Sequence, residues 1–189
     1  MGIEERRAIR KATLFDVGVT LLGAVDGSAV NVRAVCKAAG LTERYFYESF
    51  TDRDQYVVSV HSFVAERAQS ALATAVATES GTEAVATAAV DAFVKLMVDD
   101  PAMGRVLLIA PLSEPVLNGR GIQSMPAFVD LVYAQLSEIS DPVDKQLVAV
   151  GLVGALFTLF IGYLDGSIDI DRERFVAHCV RLLTRANHA

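Results

Sequence analysis

The sequence predicts an all-α protein, and three observations carry that prediction. Apolar residues recur at three- and four-residue steps through nearly the whole chain, the mark of a helix with one face turned inward. No segment alternates apolar and polar residues as a half-buried strand would, and no internal repeat or low-complexity tract interrupts the pattern. The breaks between periodic segments are made of Gly, Pro, Asp, Asn and Ser, residues that start and stop helices. With 189 residues, 52% of them hydrophobic, and a mean hydropathy of +0.38, the chain can bury a sizeable core in one large domain or two small ones.

Each helix has its own local justification. Residues 4–25 bring Ala8, Ala12, Phe15, Val19 and Leu22 to one face, and "DGSA" at 26–29 ends the run. Asn31 can cap a short helix that carries Val32, Val35, Cys36 and Ala39 on one side. Gly40 ends it, because a left-handed backbone costs glycine little. Thr42 caps the next helix, expected to about Phe50. Asp52 caps a longer one that passes Tyr56, Val60, Phe63 and Val64 to about Ala77. After "TESGTE" at 78–83, helices are expected at 83–99, 102–110, 122–139, 143–165 and 172–187. They are separated by Asp99-Asp100-Pro101, Pro111 to Gly121, Ser140-Asp141-Pro142 and Asp165 to Asp171.

Residues 31–50 read as two helices joined by a tight Ala-Gly-Leu turn, a helix-turn-helix. Val35, Cys36, Ala39, Leu41, Phe46 and Phe50 can lock the pair together. Helical spacing then turns Thr42, Arg44, Tyr45, Tyr47 and Glu48 outward. In such a motif the start of the second helix meets base edges in the major groove, and its N–H groups favour a nearby phosphate.

The stretch "NVRAVCKAAGLTERYFYESFTDRDQYVVSV" resembles the DNA-binding region of TetR-type (TetR/AcrR) transcriptional regulators. Val32, Arg33, Val35, Ala39, Gly40, Leu41, Thr42, Phe46, Tyr47 and Phe50 fall on that pattern, which is specific over about residues 27–60. The sequence departs from it at Asn31, Cys36, Gly23 and Arg53, and Glu43 and Glu48 place negative charge where basic or neutral residues are frequent. The resemblance implies an N-terminal three-helix helix-turn-helix DNA-binding domain, residues 1–55. A fourth helix would join it to a helical ligand-binding and dimerisation domain, residues 56–189. It further implies phosphate contacts from Thr42, Tyr47 and Arg53 and base reading by Arg44 and Tyr45. Glu43 would accept from cytosine N4, and Arg33 would touch the DNA backbone. An arginine can bond guanine O6 and N7 together. Arg6, Arg7, Arg10 and Lys11 could add phosphate contacts.

Charge is divided along the chain. Residues 1–60 hold eight basic and eight acidic side chains, so the net charge of −6 falls on the remainder. That asymmetry suits two parts with different partners. Cys36 and Cys179 sit in apolar-periodic segments and read as buried thiols. No charged-then-apolar leader opens the chain, and a cytoplasmic location is expected.

"LVAVGLVGALFTLFIGYL" at 147–164 reaches the length of a membrane span. Its glycines, the absence of a positive cluster at either end and its solitary occurrence favour a helix buried in protein. Val148, Leu152, Ala155, Leu156, Leu159 and Tyr163 form one stripe. Leu147, Gly151, Gly154, Thr158 and Ile161 form a second, so one stripe can face its own subunit and the other a partner. The last helix carries Phe175, Cys179, Leu182, Leu183 and Ala186 to match. The resemblance implies a homodimer through these last two long helices, bound to double-stranded palindromic operator DNA. It also implies a pocket for an apolar or amphipathic small-molecule effector among the middle helices. Candidate lining residues are Phe93, Leu96, Met97, Leu107, Phe128, Val132, Phe157 and Phe160. No catalytic set, cofactor motif or metal-ligand spacing stands out, since His178 and Cys179 are adjacent in a helix and point about 100° apart. The expected function is therefore that of a ligand-responsive regulator, usually a repressor in that family. The alternatives are a small-molecule-binding helical protein with weak or lost DNA binding, and a membrane-associated protein.

Overall fold

A computed structural model describes residues 2–25 and 30–186, and every regular element among them is helical. The elements are α1 (Ile3–Leu22), α2 (Val32–Ala39), α3 (Glu43–Tyr47), α4 (Arg53–Ala77), α5 (Thr82–Met97), α6 (Pro101–Gly104), α7 (Ala110–Ser113), α8 (Arg120–Gln135), α9 (Pro142–Leu164) and α10 (Arg172–Ala186). A π-helical turn, Arg105–Ile109, links α6 to α7, and a 3-10 turn, Pro115–Leu117, follows. The "DGSA" break and the end of the last helix expected at residue 187 lie outside the described residues.

The expected caps are in place where a side chain can reach an open N–H. Asn31 accepts from the Ala34 N–H at 2.9 Å and Asp52 from the Gln55 N–H at 2.7 Å. Thr42 stands at the N-cap of α3 with extended backbone, but its hydroxyl makes no capping bond. Several helix ends differ from expectation: α1 stops at Leu22 rather than residue 25, and α8 runs from Arg120 to Gln135 rather than over 122–139. α3 stops at Tyr47 rather than Phe50, because the chain turns there. The N–H groups of Ser49 and Phe50 both bond to the Phe46 carbonyl at 2.9 Å, which carries the Phe50 ring inward against Phe15, Phe46 and Tyr56. The helix expected at 102–110 continues to Ser113 through the π turn. Pro111 has no N–H to offer the carbonyl four residues back, and a wider turn precedes it.

The chain divides into two compact units. Unit 1 comprises Met1–Ala65 and Pro101–Asn118. Its core is Leu14, Val35, Phe46, Tyr56, Val57, Val60 and Val64, all fully or almost fully buried. The Tyr56 hydroxyl donates to the Leu14 carbonyl at 2.6 Å, tying α4 to α1. Phe15 stacks on Phe63 with ring centroids 4.8 Å apart. Segment 101–118 joins this unit through backbone contact. A Cβ on Gly23 would lie 2.4 Å from the Ala102 carbonyl oxygen, so only glycine allows that approach. Arg105 Nε also donates to the Gly23 carbonyl. As a packing unit, unit 1 therefore extends past residue 55 through the first part of α4 to Ala65 and takes in 101–118.

Unit 2 comprises Glu66–Asp100 and Gly119–Ala189. Within it α8 packs on α9 and α5 on α10. A chain of rings runs through it, with Phe93 4.7 Å from Phe160, Phe160 5.0 Å from Phe175, and Phe175 4.3 Å from Tyr163. Arg172 bridges Asp99 with two nitrogens.

Candidate nucleic-acid interface and apolar cavity

α2, its turn and α3 form the helix-turn-helix in unit 1. Gly40 has φ 64° and ψ 29°, the left-handed conformation that closes α2, and the Leu41 N–H returns to the Cys36 carbonyl at 2.9 Å. Phe46 is fully buried and fixes the roll of α3. The opposite face is consequently open. Arg44 has an 85% exposed side chain, Tyr47 is 54% exposed, and Thr42, Glu43 and Arg33 are exposed. Burial, followed by the charge of Glu43, raises the Cys36 thiol above its ordinary range. Cys36 and Cys179 are both buried free thiols, as expected.

Three of the charged or aromatic residues are placed differently from a bare outward display. Tyr45 is half-buried, with the Arg10 guanidinium 4.3 Å above its ring. The Glu48 carboxylate lies 3.4 Å from both Arg10 and Arg44, and its carbonyl accepts from Arg7 at 3.0 Å. Its negative charge is thus surrounded by cations. The resemblance implies a phosphate contact from Arg53, which here has protein partners. Its Nη1 and Nη2 donate to the two oxygens of Glu114 at 2.8 and 2.6 Å, its Nε to the Val30 carbonyl at 2.9 Å, and Nη1 also to Asp54 at 3.0 Å. Its side chain is 30% exposed and that of Glu114 15%. The hydrogen bonds from Arg53 hold the Glu114 carboxyl below its ordinary value.

Unit 2 encloses a cavity of about 300 Å³, the lower end of the range for small-molecule sites. Of the residues expected there, Phe93, Phe128, Val132, Phe157 and Phe160 line it. Leu96, Met97 and Leu107 do not. Met97 is fully buried on α5, and Leu107 is buried in unit 1. Leu96 and Met97 share the helix face of Phe93 but lie one turn further along α5, beyond the last α5 residue that lines the cavity. The cavity also takes walls from Leu72 and Val76 at the end of α4, and from Leu152, Leu156 and Leu183. The apolar periodicity of α4 was visible in sequence, but which helix it faces was not.

No protein-family model matches the sequence, and no curated protein matches it. Solved structures do. A TetR-like transcriptional regulator from Rhodococcus sp. superposes with a TM-score of 0.71 at 19% identity, over 96% of this chain and 94% of its own. The fatty acid degradation regulator FadR from Bacillus halodurans gives 0.79 at 16% identity, over 93% and 94%. A TetR-family regulator from Marinobacter aquaeolei gives 0.72 at 16% identity, over 97% and 98%. This chain has the TetR-type regulator fold.

Within unit 2, α9 leaves one apolar stripe uncovered. Val143, Leu147 and Val150 are exposed, and Gly151 and Thr158 continue the stripe at helical spacing. Leu152, Val153 and Phe160 on the other side are buried. Of the stripe Val148, Leu152, Ala155, Leu156, Leu159 and Tyr163 only Leu152 is buried and the others are half-buried, while in the second stripe Leu147, Gly151 and Thr158 are exposed and Gly154 and Ile161 half-buried. By length and composition alone α9 could also cross a membrane.

Proposed function

We propose that this chain is a homodimeric transcriptional regulator that binds palindromic double-stranded DNA and is released by a small apolar or amphipathic effector. The observation that carries the proposal is the split character of α3. A buried Phe46 anchors a helix whose other face offers Arg44, Thr42 and Tyr47 to a partner. Arg44 and Tyr45 read bases, Thr42, Tyr47 and Arg33 hold the backbone, and Glu43 accepts from a cytosine amine. Arg53 reaches a phosphate by exchanging one of its Glu114 bonds.

One five-residue helix contacts few base pairs, so the function calls for two copies at fixed spacing. The open stripe of α9 supports that pairing, with α10 beside it. α4 is unbroken from Arg53 to Leu72 and Val76 at the cavity wall. An effector that prefers one conformation of this helix shifts the equilibrium, and DNA weakens effector binding by the same factor. Repression is the sense that fits the resemblance best.

Selection of genomic fragments by the purified protein, followed by affinity measurements over a range of salt, tests the proposal. Retention of fragments sharing an inverted repeat, with affinity falling as salt rises, supports it. Uniform weak binding to all fragments favours a small-molecule-binding protein without operator function, a reading to which the exposed Glu43 and the neutral charge of the first sixty residues lend weight.

A further inference from the structure

We propose that the unit 2 cavity selects amphiphiles by the sign of their head group, accepting a cationic or neutral one and rejecting the carboxylate of the same chain length. This rests on the cavity being the effector site. None of its lining residues is ionisable. The polar side chains of its wall are Gln135 at the end of α8, Ser137 just beyond it, and Thr82 at the start of α5. Gln135 and Ser137 are exposed, so this end is the mouth. A shallow depression shares Gly81 and Thr82 with the cavity and is bordered by Glu79, Glu83 and Asp91. Unit 2 as a whole holds fourteen acidic and eight basic residues, which places the entire net charge of −6 there.

These facts act together on a ligand whose tail lies among the phenylalanines. A carboxylate carried into the cavity would lose its water and meet no cation, which is strongly unfavourable. A carboxylate left at the mouth would lie beside Glu79 and Glu83 in the negative field of the unit. The N–H groups at the start of α5 favour an anion in principle, but Glu83 already occupies that first turn. Lys145 holds its ammonium 4.5 Å over the Tyr133 ring and does not line the cavity. An ammonium at the mouth gains from the same carboxylates, and a hydroxyl can bond to the Gln135 amide and the Ser137 hydroxyl.

Calorimetric titration of the full chain at pH 7 with decylammonium, 1-decanol and decanoate, each below its micelle concentration, tests this. Decylammonium and decanoate share a tail and differ in the sign of the head, so their ratio isolates the effect. Decylammonium should bind at least tenfold more tightly than decanoate, and 1-decanol should also bind more tightly than decanoate. The double substitution Glu79→Gln with Glu83→Gln should shrink the ratio at least threefold. Ala89→Phe or Leu156→Phe, each filling the cavity, should abolish binding in whichever variant keeps its helical circular dichroism. Decanoate binding as tightly as decylammonium overturns the sign selection and leaves the cavity a ligand site. Binding by none of the three, or binding untouched in a folded cavity-filled variant, overturns the effector-site reading and the selection with it.

Discussion

Replacing Glu114 with Gln should lower the stability of unit 1 by about 2 kcal/mol. The figure follows from where the pair sits. Fully exposed ion pairs contribute about 0.2–1 kcal/mol, and breaking a fully buried one costs about 3–5 kcal/mol. Arg53 and Glu114, at 30% and 15% exposure, lie between these limits. Two short bonds at 2.8 and 2.6 Å join them, and hydrogen bonds to charged groups contribute about 1.5–3 kcal/mol. Glutamine keeps the shape and one acceptor oxygen, so the loss falls toward the middle. For a chain of this size it corresponds to a fall of about 4–8 °C in Tm. Urea unfolding of Arg53→Met, Glu114→Gln and the double variant gives the coupling directly. A second signature is acidity. Because Arg53 holds the Glu114 carboxyl below its ordinary 4.5, the folded state binds this proton less readily than the unfolded chain. The stabilisation is complete above that ordinary value and is lost as the pH falls below it and through the lower folded value. The gap between wild type and Glu114→Gln should therefore close in acid. A coupling below about 0.5 kcal/mol, the usual limit of additivity, or a gap independent of pH would refute the reasoning.

Other outcomes follow from the same geometry. Arg44→Ala should cost about 1–3 kcal/mol per half-site and relax preference at one base pair, whereas Arg33→Ala should weaken all sequences alike and flatten the salt slope by about one unit. Binding to single-base operator variants at several salt concentrations separates them, and an unchanged preference in folded Arg44→Ala removes α3 as the reading element. Leu147→Arg, at a 65% exposed site, should give a monomer in sedimentation with its helix content intact; a persistent dimer would place the interface elsewhere. Gly23→Ala should destabilise the fold by about 1–3 kcal/mol, since its methyl group would meet the Ala102 backbone rather than a flexible side chain. Wild-type urea stability in that variant would show that segment 101–118 moves aside freely.

The sequence by itself determined what depends on neighbours along the chain. Asn31 and Asp52 start their helices because their oxygens reach an N–H three residues on, and Gly40 ends α2 because its backbone alone turns left-handed at little cost. The buried and open sides of the motif followed from helical period, with Phe46 inward and Arg44 outward. On α9 the exposed side at Leu147, Gly151 and Thr158 was legible, whereas the buried side centres on Ala149, Val153 and Phe160 rather than on the stripe read from Val148 to Tyr163. Only the tertiary structure decided which distant groups meet. Arg53 finds its carboxylate 61 residues away, so its identity as a cation was readable but its engagement was not. Glu48 looked like a repulsive charge and is instead held by Arg10, 38 residues earlier. Met97 shares the apolar character and the helix face of Phe93, but one turn further along α5 it is buried in the core while Phe93 lines the cavity. Hydrogen bonds within a helix are fixed by spacing along the chain. An ion pair, a cavity wall or a close backbone approach depends on how helices far apart in sequence come together, and a local pattern of residues does not encode that.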